Sequence, residues 1–98
     1  MNDKMNDNIK VCFDIDGTLI HQGWQKEDTP RYEIVDLFHH FERLGCDMYA
    51  HSGGGIDYCQ RWIEKLGLTA KVVEKGSLKA DITFDDMPVT IGKVNIKV

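Results

Sequence analysis

Ile9, Val11 and Phe13 alternate with Lys10 and Cys12 in a short β-prone run that stops at Asp14, the pattern of a strand ending on a carboxylate. Gly17 to Asp28 has mixed polarity and reads as a loop or small flap. Thr29-Pro30 then offers an N-cap with proline in the first helical position. From there Ile34, Leu37, Phe38, Phe41 and Leu44 recur at helical spacing until Gly45 supplies a stop. Met48 to His51 predicts a second strand, running into Ser52-Gly53-Gly54-Gly55. Cys59, Trp62, Ile63 and Leu66 follow at i, i+3, i+4 and i+7 before Gly67, which predicts a second helix with Trp62 in the core. Lys71 to Glu74 and Ile82 to Asp85 read as further strands, and Val94 to Val98 alternates like a half-buried edge strand. Strands separated by helices imply crossovers and a mainly parallel sheet covered on both faces, a Rossmann-like three-layer α/β sandwich.

Composition narrows this picture. A chain of 98 residues fits one domain, taken as 9–98, behind a polar tail over 1–8 that is expected to be disordered. The tail lacks the apolar run of a secretion signal, and no apolar stretch approaches the roughly 20 residues of a membrane span, so a cytoplasmic location off the membrane is expected. Sixteen acids against 12 bases give a net charge of -4, which argues against nonspecific nucleic-acid binding through phosphate neutralisation. Cys12, Cys46 and Cys59 form no CxxC pair and are expected to be reduced thiols, not a disulfide framework or a zinc site.

Ligands of open parallel sheets sit beyond the carboxyl ends of the strands. Three predicted strands end in reactive groups: Asp14-Ile15-Asp16, His51-Ser52-Gly53 and Asp85-Asp86. Two carboxylates two residues apart can divide labour, one attacking or binding metal while the other handles a proton. Asp-x-Asp-Gly is also ordinary turn chemistry, and it occurs inside EF-hand calcium loops. In the EF-hand register Cys12 takes the first ligand position and Gly23 falls where a glutamate belongs, so that reading fails.

Asp14-Ile15-Asp16-Gly17-Thr18-Leu19 resembles the first motif of the haloacid dehalogenase superfamily of phosphohydrolases. Met48-Tyr49-Ala50-His51-Ser52-Gly53 is similar to its second motif, and Lys79 to Asp86 looks like its third and fourth fused in one stretch. The resemblance spans roughly Ile9 to Asp86 and implies a phosphatase with a minimal core of that type. It implies that Asp14 attacks phosphorus to form an aspartyl-phosphate while Asp16 acts as general acid and base. It implies Mg2+ held by the Asp14 side chain, the Asp16 backbone carbonyl and one of Asp85 and Asp86, with Asp85 favoured as the direct ligand. Ser52 and the Gly53 amide would bind the phosphoryl oxygens, although Ser52 also suits a simple helix N-cap. Of Lys71, Lys75 and Lys79, Lys79 is preferred as the catalytic and phosphate-binding lysine because it immediately precedes the strand carrying the acid pair, with Lys75 second.

The intervals Gly17 to Thr29 and Ser52 to Asp81 leave no room for a cap domain. An open site suits a phosphorylated substrate carried on something larger, macromolecular or sugar-linked, or a lid from a second copy in a homo-oligomer. Trp24 in the flap, and Thr18, are candidates for substrate contact. His39 and His40 read as helix residues, and His51 as a packing residue more than a leaving-group contact. The alternatives are a phosphorylatable regulatory domain and a catalytically silent binding module. The first places its acid pair early in the chain, the reverse of the order here; the second would lose Asp14 or Asp16, and both are present. The P-type ATPases, which are related, usually carry Thr where Asp16 stands, so Asp16 favours ester hydrolysis. Removing the four site carboxylates leaves 12 acids against 12 bases, so the net acidity reads as a metal site's demand.

Overall fold

The computed structural model describes residues 8–22 and 29–98. Five strands, β1 (Lys10–Asp14), β2 (Asp47–His51), β3 (Lys71–Val72), β4 (Ile82–Asp85) and β5 (Val94–Lys97), form one sheet in the order β3-β2-β1-β4-β5. Every pairing is parallel. Two helices, α1 (Tyr32–Arg43) and α2 (Ile56–Leu66), carry the crossovers from β1 to β2 and from β2 to β3.

Right-handed crossovers that step the same way along a sheet leave their helices on one face. The buried side chains follow that rule. Val11, Phe13, Met48, Ala50 and Phe84 join Ile34 and Phe38 of α1 and Cys59, Trp62 and Ile63 of α2 in one cluster. Phe13 stacks on Phe84 with ring centroids 4.6 Å apart and meets Phe38 at 5.4 Å, contacts that add about 1 kcal/mol each to simple burial. On the other face Cys12 and Tyr49 are covered by Val73, Leu78 and Ala80 of the β3–β4 connection. The sandwich is therefore Rossmann-like with three layers, the third made of irregular chain. Neither the β1–α1 connection over 15–31 nor the β2–α2 connection over 52–55 carries a cap-sized insertion.

Two boundaries and the covering of one strand differ from the sequence pattern. Helix α1 starts at Tyr32 with Arg31 as its N-cap and no side-chain capping bond. Thr29 and Pro30 are taken up elsewhere: Pro30 bridges Ile20, the His21 amide donates to the Thr29 carbonyl at 2.7 Å, and the Arg31 amide to the Leu19 carbonyl at 2.9 Å. Strand β3 stops at Val72, because the chain turns over Glu74–Ser77 and the Ser77 amide donates to the Glu74 carbonyl. At the β5 edge Val94 and Ile96 are exposed, so that strand is less covered than its alternation suggests. The end of α2 follows expectation, with Gly67 left-handed at φ 71° and Leu68 folding back into the core. Among the described residues no helix is long and apolar enough to cross a membrane. Cys12 and Cys59 are buried free thiols, pushed up to about 12 chiefly by that burial; Cys46 is half-buried and also free.

Candidate metal and phosphate site

Chain connections leave β1 toward β2 across one face and return from β3 to β4 across the other, so the carboxyl ends of β1 and β4 flank the topological switch point. Parallel register brings Asp14 level with His51, and Asp85 stands one residue beyond the Phe13–Phe84 pair. Alternation puts Asp14, His51 and Asp85 on the face that carries Cys12, Tyr49 and Thr83. All three are buried, at 4%, 1% and 1% exposure. Each offers one ligand atom, and those atoms lie within 4.8 Å of one another.

The cation already drawn to this cluster is Lys75. Its Nζ lies 3.2 Å from Asp14 Oδ1 and 3.0 Å from Asp85 Oδ2. Lys79, the lysine preferred from the sequence, is exposed on the same connection and makes no ion pair among those of the described residues. The turn over Glu74–Ser77 explains the exchange, since it lifts residue 75 over the sheet end and leaves 79 on the way back to the β4 start.

One buried atom in the cluster, His51 Nε2, has no hydrogen-bond partner among the described residues, and it lies 4.0 Å from Asp85 Oδ2. Asp85 Oδ2 lies 3.0 Å from Lys75 Nζ, while Asp85 Oδ1 accepts the Met87 amide at 2.9 Å. The other ring nitrogen, His51 Nδ1, lies 3.4 Å from Cys12 Sγ. Buried polar atoms normally find hydrogen-bond partners. A cation between Asp14, His51 and Asp85 would engage the unpartnered Nε2 together with both carboxylates, and the group can hold a metal ion.

Charge crowding sets the titration of the site. Burial, and next the charge of Asp85, push Asp14 up to about 6 against the pull of Lys75. Burial and the neighbouring Lys75 charge push His51 down to about 4, so its imidazole is neutral at physiological pH. Burial works to lower the Lys75 pKa, but the two carboxylates outweigh it and raise it. Asp86 is raised by burial and by hydrogen bonding to Asp85.

Beyond the buried cluster an open cleft of about 280 Å3 is lined by Asp14, Asp16, Gly53, Gly54, Lys75 and Asp86, among others. Asp16 Oδ1 accepts the Tyr58 hydroxyl at 2.6 Å, which fixes its carboxylate at the cleft wall. Ser52 Oγ accepts the Gly54 amide at 3.0 Å, so its own proton is left to donate. Gly53 belongs to this turn and stands ahead of α2, which begins at Ile56. Gly17 has φ 79°, and a Cβ there would collide with the Asp86 carboxylate. Arg31 ties the same loop down, its Nη1 donating to the Gly17 carbonyl at 2.6 Å and the Val98 carbonyl at 3.2 Å.

Asp14, Asp16, Ser52, Gly53, Asp85 and Asp86 thus all gather at one sheet edge. Thr18, a candidate for substrate contact in the sequence, is fully buried within the loop after β1. Trp24 lies outside the described residues. Sequence reasoning passed over Tyr58 and Arg31, which carry no motif, and treated His51 as packing. The signal for His51 was its level position beside Asp14 in a parallel pair, visible only once the register is known. No protein-family model, curated protein or solved structure matches this chain.

Proposed function

We propose that the chain is a metal-dependent phosphohydrolase of the haloacid dehalogenase type, cleaving a phosphate monoester through an aspartyl-phosphate on Asp14. The observation that carries this reading is the convergence at one switch point of Asp14, a second carboxylate Asp16 held by Tyr58, and a lysine shared by Asp14 and Asp85. A phosphate monoester repels nucleophiles, so its hydrolysis needs a positioned nucleophile and positive charge around phosphorus. The donor set fits a divalent cation, because two carboxylates and the unpartnered His51 Nε2 gather at one end of the sheet. Asp14 and Asp85 would hold it, with the Asp16 carbonyl as the resemblance implies; the resemblance names Mg2+. The ion supplies the charge that offsets repulsion between an anionic nucleophile and an anionic ester.

The residues then divide the work. An Asp14 carboxylate oxygen attacks phosphorus, the ester P–O bond breaks, and Asp16 delivers its proton to the departing oxygen. Asp16, now a carboxylate, takes a proton from water; the water oxygen bonds to phosphorus and the Asp14–phosphorus bond breaks, restoring Asp14. Ser52 and the Gly53 amide donate to phosphoryl oxygens, and Lys75 neutralises charge beside Asp14. The absence of a cap-sized insertion in the described connections fits a phosphate carried on a larger molecule.

The test is phosphate release from an aryl phosphate, a phosphorylated-metabolite panel and end-phosphorylated oligonucleotides, with Mg2+ or Mn2+ present. Turnover is expected, abolished by Asp14→Asn and reduced about 10²- to 10⁴-fold by Asp16→Asn. Lys75→Ala is expected to lose most activity while Lys79→Ala keeps it. No turnover across the whole panel with either ion overturns the reading.

A further inference from the structure

We propose that His51 is a metal ligand through Nε2, so that the Asp14–His51–Asp85 group takes a transition-metal dication such as Mn2+, Fe2+, Co2+ or Zn2+ in preference to Mg2+. The inference deepens the metal-dependent reading above, but the binding it describes stands or falls without any turnover. A carboxylate cluster alone would not select an ion. The added observation is a 99%-buried imidazole whose Nε2 has no hydrogen-bond partner among the described residues and faces Asp85 Oδ2 at 4.0 Å.

That separation suits two ligands of one ion. Bonds of roughly 2.0–2.2 Å put neighbouring donor atoms about 3 Å apart and opposed ones about 4 Å apart. The other ring nitrogen has a partner of its own. Metal-bound histidines usually donate through the other ring nitrogen to a fixed acceptor, which sets the tautomer. Here Nδ1 lies 3.4 Å from Cys12 Sγ, and a proton on Nδ1 leaves the Nε2 lone pair for the ion. Lys75, which now spans the two carboxylates, is 28% exposed on a flexible stem and can yield its place. Mg2+ demands oxygen ligands and sheds water reluctantly, so an imidazole gains it little; imidazole suits Fe2+, Co2+ and Zn2+, and Mn2+, although it favours oxygen, accepts it more readily than Mg2+.

The experiment is direct binding of Mg2+ and Mn2+ to the whole metal-free chain by calorimetry, together with electron-spin-echo spectroscopy of the Mn2+ complex. Mn2+ is expected to bind at least about tenfold more tightly than Mg2+, with a 14N modulation from a directly bound imidazole. His51→Gln is expected to remove the modulation and most of the tenfold difference. If His51→Gln does not fold, the wild-type spectrum decides by itself. A Mn2+ complex without 14N modulation, equal affinity for both ions, or no binding of either overturns the proposal. The first two results leave an oxygen-only phosphohydrolase site standing, which the turnover panel judges separately.

Discussion

Asp14 and His51 stand level on neighbouring strands, and burial shifts them in opposite directions. In the unfolded chain near pH 5 the aspartate is charged and the histidine protonated; in the folded, metal-free chain Asp14 keeps the proton and His51 gives it up. The signs follow. A carboxyl raised from 3.8 to about 6 stabilises the fold least at high pH: its contribution falls as pH rises through that interval. The cost of the buried charge above it is about 3 kcal/mol at most. A histidine lowered from 6.5 to about 4 does the reverse, its contribution being intact above 6.5 and lost as pH falls toward 4. Urea midpoints of the metal-free protein should therefore diverge from wild type in opposite senses between pH 4 and 6. Asp14→Asn should gain relative stability with rising pH, and His51→Gln should lose it. Parallel curves for both variants would rule out this exchange of a proton. This pairing was invisible in the sequence, where His51 and Asp14 are 37 positions apart and only the parallel register makes them neighbours.

The loop from Ile15 to Ile20 is the element on which the site depends. It leaves β1, reverses at Gly17, and is sewn to Thr29–Arg31 by backbone bonds on both sides of Ile20. The Asp-x-Asp-Gly signature was legible because it is local: strand end, carboxylates and turn residue lie in one short run. What holds it was not. Pro30 after Thr29 has the form of a helix start, but the pairing with Ile20 captures both residues and moves the start of α1 to Tyr32. Gly17 has two reasons to be glycine, a left-handed φ and an Asp86 carboxylate packed where a Cβ would be. Gly17→Ala should cost about 1–2 kcal/mol in the urea midpoint. Because Asp86 must also move, phosphate release should fall more than the loss of folded protein explains. A variant with wild-type stability and activity would show that neither constraint acts.

At the scale of the whole molecule the two faces of the sheet are unequal. One carries α1, α2 and an aromatic core centred on Phe13, Phe38 and Phe84; the other is covered by the irregular β3–β4 connection through Val73, Leu78 and Ala80. The helical face was readable from 3.6-residue periodicity. The thin face was not, because irregular chain has no period, and the turn that carries Lys75 to the sheet end is equally invisible there, whereas Lys79 stands next to the strand with the acid pair. A layer with so few apolar anchors opens more easily than the helices, with a local free energy well below that of global unfolding. Lys75 supplies what the apolar contacts do not: its ammonium bridges Asp14 of β1 and Asp85 of β4 across the end of the sheet, pinning the first part of the connection. In the metal-free protein, Lys75→Ala should therefore speed amide exchange across Gly76–Ala80, while exchange in α1 and α2 stays near wild type. Lys79→Ala, on the same segment but exposed and outside the cluster, is the matched control and should leave that exchange unchanged. Equal acceleration by both variants would mean that loss of a lysine anywhere in the connection loosens it. Acceleration by Lys75→Ala alone would mean that the charges assembling the site also hold the third layer in place, so that stability of that face and electrostatics of the cleft are set by the same ion pairs.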